Sequence, residues 1–196
     1  MKIKTFNIVL PLSIKKGLIL FVIVIGLGAP AYCQTLYVDA AKGRNGAKGT
    51  VDAPLASLEE AVRRTHDFKG NQPVVIRLNP GLYVIKNKLD IKTAGGTGNN
   101  QPYNIEAVIM PGAAGYEPYK MPVIQSVCGT NDTLQFPHCE ALLVEKNNVH
   151  IAGIKFVGNP NPEVHTYYPI RRADKTLKGL SVSQCYFIGE KNSSAI

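Results

Sequence analysis

Residues 36 to 39, Leu36-Tyr37-Val38-Asp39, alternate apolar and polar, which predicts a short strand. A glycine-studded loop from Gly43 to Gly49 follows and runs into Asp52-Ala53-Pro54. The period then changes. Ser57-Leu58-Glu59-Glu60 has the spacing of a capping box, in which the serine hydroxyl takes a free backbone N–H and Glu60 reaches back three residues. About two turns of helix should follow, with Leu58, Ala61 and Val62 at i, i+3 and i+4 in one narrow apolar stripe. Glu59, Glu60, Arg63 and Arg64 fall outside that stripe, so the helix covers something apolar with one side only.

From Pro73 onward short β-branched runs recur between turn residues, an all-β signature. They lie at 74–78, 82–85, 89–91, 105–109, 122–124, 141–144 and 149–151. Runs this short favour the coils of a solenoid over the longer strands of a sandwich. Residues 147–158 also superpose on 178–189 without gaps: Val149 matches Leu180, Ile151 matches Val182, Ile154 matches Cys185, Phe156 matches Phe187 and Gly158 matches Gly189. Each pair is separated by the same interval, and Ala152-Gly153 interrupts the inward alternation once, as a corner between two strands does. Stacked units place like residues above like, so Cys185 reads as a small buried hydrophobe in an aliphatic ladder and His150 as a surface position.

The first 33 residues follow another logic. Lys2, Lys4, Lys15 and Lys16 precede an apolar run from Gly17 to Gly28, and Ala29-Pro30-Ala31-Tyr32-Cys33-Gln34 follows it, the three-part grammar of a secretory signal peptide. The apolar run is too short for a membrane span, which needs about 20 helical residues. Tyr32 before Cys33 argues against a lipoprotein, where a small residue precedes the acylated cysteine. Export is therefore expected, with Gln34 as the mature N-terminus. The segment also changes the charge picture. The formal charge is +8, but with those four lysines removed 18 basic residues stand against 14 acidic ones, a mature charge of +4. That modest excess and the export address argue against a nucleic-acid partner. Cys128, Cys139 and Cys185 remain in an oxidising compartment; Cys128 and Cys139 flank a turn-rich segment and either close a disulfide loop or stay separate thiols. His138 beside Cys139 lacks partners at zinc spacing. Gly95-Gly96-Thr97-Gly98 reads as a plain loop, since the lysine and helix of a phosphate cradle are missing.

Several stretches together resemble a known family. Tyr37-Val38-Asp39, Gly49-Thr50, Ala53-Pro54 and 55–62 resemble the opening strand, loop and capping helix of right-handed parallel β-helix proteins of the pectin-lyase-like superfamily, specifically the secreted bacterial polysaccharide-lyase-like branch. Val75-Ile76-Arg77-Leu78-Asn79-Pro80-Gly81-Leu82-Tyr83 resembles its first coil, and the paired Val-x-Ile-x-x-Ile-x-Phe-x-Gly units resemble later ones. The resemblance implies an all-β solenoid in three parts: a signal peptide at 1–33, a strand, loop and capping helix at 34–72, and the first coils at 73–196. The sequence stops after a complete inward pattern with no polar terminal cap, so the chain is read as an N-terminal portion, truncated at its C-terminus.

In function the resemblance implies a polysaccharide partner, and β-elimination of an acidic, uronate-bearing chain as the activity. A calcium ion or arginine then neutralises the carboxylate, a lysine or arginine acts as base, and a donor protonates the leaving oxygen. The family places these groups on central and later coils, so no catalytic residue and no calcium ligand is carried onto this sequence. The alternative is a non-catalytic surface or adhesive β-helix. The local excess of polar chemistry is 159–177, expected as an extended corner loop with His165, Tyr167, Tyr168, Arg171, Arg172, Asp174 and Lys175. One reading makes it a sugar-binding wall, with Tyr167 or Tyr168 stacking on a ring and Arg171 or Arg172 pairing with a carboxylate. The plainer reading, preferred on the sequence, is a solvated loop whose tyrosines pack on the outer strand face.

Overall fold

The computed structural model describes residues 34–69, 71–94, 100–131 and 137–189; residues 1–33, on which the expected signal peptide falls, the expected loop at 95–98 and residues 190–196 lie outside the described residues. The chain divides into two units, Met1–Tyr32 and Cys33–Ile196, and every described element belongs to the second. Its strands are β1 (Gln34–Val38), β2 (Val74–Leu78), β3 (Leu82–Ile85), β4 (Leu89–Ile91), β5 (Tyr103–Ala107), β6 (Val123–Ser126), β7 (Cys139–Val144), β8 (Val149–Ala152), β9 (Lys155–Val157), β10 (Tyr167–Arg172), β11 (Ser181–Ser183) and β12 (Tyr186–Ile188). One helix, α1 (Leu58–Thr65), and a single 3-10 turn at Pro118–Lys120 complete the described elements.

Every strand pair is parallel, and the strands sort into three sheets ordered β1-β2-β5-β8-β11, β3-β6-β9-β12 and β4-β7-β10. After β1 and α1 the chain therefore visits the sheets in rotation from β2 onward, one strand each per turn, and lays every turn on the one before: an all-β, solenoid-like fold. Parallel pairing normally needs a crossover between neighbours, and here the rest of each coil is that crossover. Register stacks like on like. Leu36, Ile76, Ile105, Ile151 and Val182 form one inward column. Tyr83, Ile124, Phe156 and Phe187 form a second, in which the last two rings stack at 5.1 Å. Each fully buried isoleucine contributes about 1.5–3 kcal/mol relative to exposure, and the columns merge into one core. Cys185 packs against that core, and burial pushes its thiol up from the ordinary value.

Corners are built from residues in the left-handed region. Asn148 (φ 56°) and Gly179 (φ 73°) turn the chain ahead of β8 and β11, while Gly153 (φ 71°) and Gln184 (φ 52°) turn it after them. Side-chain amides satisfy the backbone at the first of these corners. Lys178 N–H donates to Asn147 Oδ1 at 2.8 Å, and Asn148 Nδ2 donates to the Asn100 carbonyl at 3.0 Å.

The same corner holds a buried cation. Lys146, only 1% exposed, donates from Nζ to the carbonyls of Gln101 and Asn147, and burial lowers its ammonium to about 8. The unfolded chain keeps that proton up to about 10.4. Between those values the folded state binds fewer protons, so folding stability is lowest below pH 8 and rises as pH increases above it. Urea titrations should show stability climbing from pH 8 to 9.5, and the climb should vanish in Lys146→Met; an equal slope in both proteins would refute the assignment.

Leu58, Ala61 and Val62 of α1 belong to the common core, and the helix packs on β1, β2, β3 and β4. Its N-terminus is half a capping box. Ser57 Oγ accepts the Glu60 N–H at 3.2 Å, but Glu60 does not reach back. Arg63 and Arg64 take its carboxylate at 2.7 and 2.8 Å, and the hydrogen bond from Arg63 is the main cause that holds the carboxyl down at about 2. Two guanidinium groups outcompete one backbone donor, and Ser57 N–H donates instead to Asn45 Oδ1 at 3.0 Å.

The expectation of an extended loop across 159–177 needs correction. Tyr167–Arg172 is a six-residue strand, β10, paired with β7. Pro169 inside a run of charged and aromatic residues hides the strand pattern, but a solenoid strand borrows its hydrogen bonds from the coil beneath.

Candidate functional site

β7 and β10 place the polar side chains of the 159–177 region. Cys139, Ala141, Leu142 and Val144 of β7, and Tyr167 and Ile170 of β10, belong to the core. The outward positions are Glu140 opposite Tyr168 and Leu143 opposite Arg171. Both strands thus read out-in-in-out, which brings Glu140 and Arg171 within reach across the sheet.

Tyr167, expected as a stacking residue, is 3% exposed and part of the core; burial pushes its phenol far above the ordinary range, and it has no face to offer a sugar. Arg172 is exposed and ties its own loop, donating from Nη1 to the Leu177 carbonyl at 3.2 Å. Tyr168 and Arg171 remain, and the structure joins them to residues the sequence did not mark. Arg171 Nη1 lies 2.6 Å from Glu140 Oε1 and 2.7 Å from His138 Nε2. His138 Nε2 is 3.0 Å from Glu140 Oε1 and 3.0 Å from Asn131 Nδ2. The Arg171 guanidinium sits 5.9 Å from the Tyr168 ring centroid, and the His138 ring meets Tyr168 edge to face at 5.6 Å.

Glu140 points away from the core and is nevertheless 3% exposed, because Asn131, His138 and Arg171 cover it. A buried carboxylate is tolerated only when paired and hydrogen-bonded, and here both oxygens have partners. A disulfide between Cys128 and Cys139, whose Cα atoms are 6.6 Å apart, fixes the approach of the Asn131 segment to β7. Asn131 and His138 also bond directly, N–H to carbonyl at 2.7 Å and His138 N–H to Asn131 Oδ1 at 3.1 Å.

Beside the cluster opens a cleft of about 290 Å³ lined by Lys86, Asn87, Lys88, Cys128, Gly129, Thr130, Asn131, Cys139 and Glu140. The lysines belong to the β3–β4 corner and are exposed. Lys88 lies 3.4 Å from Asp90, and Lys92 bridges Asp90 and Glu145 at 3.7 and 3.3 Å. Lys86, Lys88, Lys92 and Arg171 stand against Asp90, Glu140, Glu145 and Glu59, whose carboxylate accepts the Lys86 N–H at 2.9 Å, so the flank mixes both signs with Lys86 and Lys88 on its exposed corner. His150 is partly exposed on another sheet, 3.4 Å from Ser183 Oγ.

Calcium needs several oxygen ligands, usually carboxylates and carbonyls. Among the described residues no three His, Cys, Asp or Glu converge on one point, and both oxygens of Glu140 are engaged. Among the described residues no helix is long and apolar enough to cross a membrane.

No signal in hydropathy marks His138, Asn131 and Glu140 as a group, since they come together only through a turn and a strand register. No protein-family model and no curated protein sequence matches the chain. Among solved structures, a rhamnogalacturonan lyase is similar to it with a TM-score of 0.48 and 17% sequence identity, covering 80% of this chain. The chain spans 37% of the length of that structure.

Proposed function

We propose that the protein is an exported, right-handed parallel β-helix of the pectin-lyase-like kind, with α1 closing its first coil, that binds acidic polysaccharide along the flank of β4, β7 and β10. The observation that supports this reading is Tyr168 and Arg171 held together beside a lysine-lined cleft. An aromatic face accepts the C–H face of a sugar ring, and a guanidinium pairs with a carboxylate in planar, directional fashion. The lysines add a diffuse attraction for a polyanion. Binding is common to a lyase and to a non-catalytic adhesive β-helix. Turnover separates the two, because β-elimination leaves an unsaturated product that absorbs in the ultraviolet.

Titration of the full chain with polygalacturonate and with neutral dextran tests the reading. The acidic polymer should bind and weaken as salt is raised, and dextran should not bind. Tyr168→Ala should lose about tenfold in affinity, equivalent to ~1.4 kcal/mol, with an unchanged far-ultraviolet circular dichroism spectrum. Equal binding of both polymers, or an unaltered affinity in Tyr168→Ala, would remove the proposal.

A further inference from the structure

Arg171 is not free at this site. Its Nη1 is shared between Glu140 Oε1 at 2.6 Å and His138 Nε2 at 2.7 Å. A guanidinium donates and never accepts, so the contact with Nε2 is a hydrogen bond only while that nitrogen carries no proton. Once Nε2 takes a proton from solvent, two cationic donors face each other across that short distance. The imidazolium N–H has an acceptor ready in Glu140 Oε1, 3.0 Å away. Glu140 then has a charge partner that is itself buried, whereas the Arg171 side chain is 42% exposed and has water to move into.

We infer that His138 is a proton-operated latch on Arg171: neutral with Nε2 unprotonated, it helps hold the guanidinium against Glu140; protonated at Nε2, it takes Glu140 for itself and releases Arg171 toward an anionic ligand. The inference rests on the proposed binding of acidic polysaccharide and adds its regulation. The charged and titratable groups that face the imidazole are Glu140 on β7 and Arg171 and Tyr168 on β10, while Lys86 and Lys88 of the β3–β4 corner line the neighbouring cleft with Glu140. The interval from pH 8 to 5 is the one over which histidine, as a residue type, changes charge. Uronate carboxylates stay ionised throughout it, so the ligand's own charge is constant.

Affinity for polygalacturonate should tighten about fivefold for the full chain when pH falls from 7.5 to 5.5 at fixed ionic strength, the low end of coupling between linked sites. His138→Gln should lose that dependence; an equal pH dependence in both proteins would overturn the latch. A titration of the unaltered protein by nitrogen-15 NMR makes the test independent of any variant's folding and of the polymer. The Arg171 guanidinium resonance, assigned by its absence in Arg171→Lys, should shift in step with the His138 ring nitrogens. An Arg171 signal that ignores the His138 titration refutes the latch even if polysaccharide binds. A coupled titration with no polysaccharide bound at any pH upholds the latch and refutes the binding function instead.

Discussion

Ile154→Asp should abolish folding of the chain, while His150→Asp should leave it folded. Ile154 is 0% exposed and lies in the core between β8 and β9, where the inward side chains of two sheets meet. The substitution removes a buried aliphatic chain, a loss of about 2–5 kcal/mol for truncation alone. It also places a carboxylate where the neighbours Ile151 and Phe156 offer no partner, at several kcal/mol more or a neutralised acid. The sum is comparable to the whole stability of a domain, about 5–15 kcal/mol. His150 stands in the outward row with Asn104 and Ser181, so a carboxylate there remains in water. Circular dichroism and limited proteolysis of both variants check the contrast. Equal tolerance, or equal loss, would contradict the inward register of β8.

Reducing the Cys128–Cys139 bond, or replacing both cysteines by serine, should cost about 3 kcal/mol of stability. That magnitude reflects the short loop that the bond closes, with a sequence separation of 11 residues. The effect on the site should exceed that on the fold. Asn131 and His138 sit inside this loop and cover Glu140, so without the bond the cover loosens and water reaches the carboxylate. Urea denaturation with and without reductant reads the first effect, and polygalacturonate affinity the second. Cys185→Ser serves as the control. Its thiol is partly buried and burial raises it, so it forms thiolate sparingly and should neither exchange with the disulfide nor alter the result. A reductant-insensitive midpoint in the unsubstituted chain would show that the bond contributes nothing.

Much of the architecture was legible along the chain, because the signals that carry it are local. The runs at 74–78, 82–85 and 89–91 coincide with β2, β3 and β4, and the Leu58, Ala61 and Val62 stripe is the buried side of α1. Period-2 alternation and an i, i+3, i+4 stripe state directly which side chains go inside. The matched apolar positions of 147–158 and 178–189 become the pairing of Ile151 with Val182 and Phe156 with Phe187, since stacking like on like is the register that buries both rows.

The site is different. Tyr168 and Arg171 are visible as chemistry in the sequence, but Tyr167 beside them looks equally suitable and is withdrawn into the core by the alternation of a strand that Pro169 disguises. The fate of Glu60 is likewise a contest between donors that spacing alone does not rank. Glu140 is chosen by tertiary structure alone: strand register sets it opposite Tyr168, and a disulfide-closed loop brings Asn131 and His138 over it. Hydrophobic burial is a property of each residue and can be read one position at a time. The pairing of a buried charge depends on which groups 31 and 9 residues away arrive within hydrogen-bonding distance, and only the folded chain decides that.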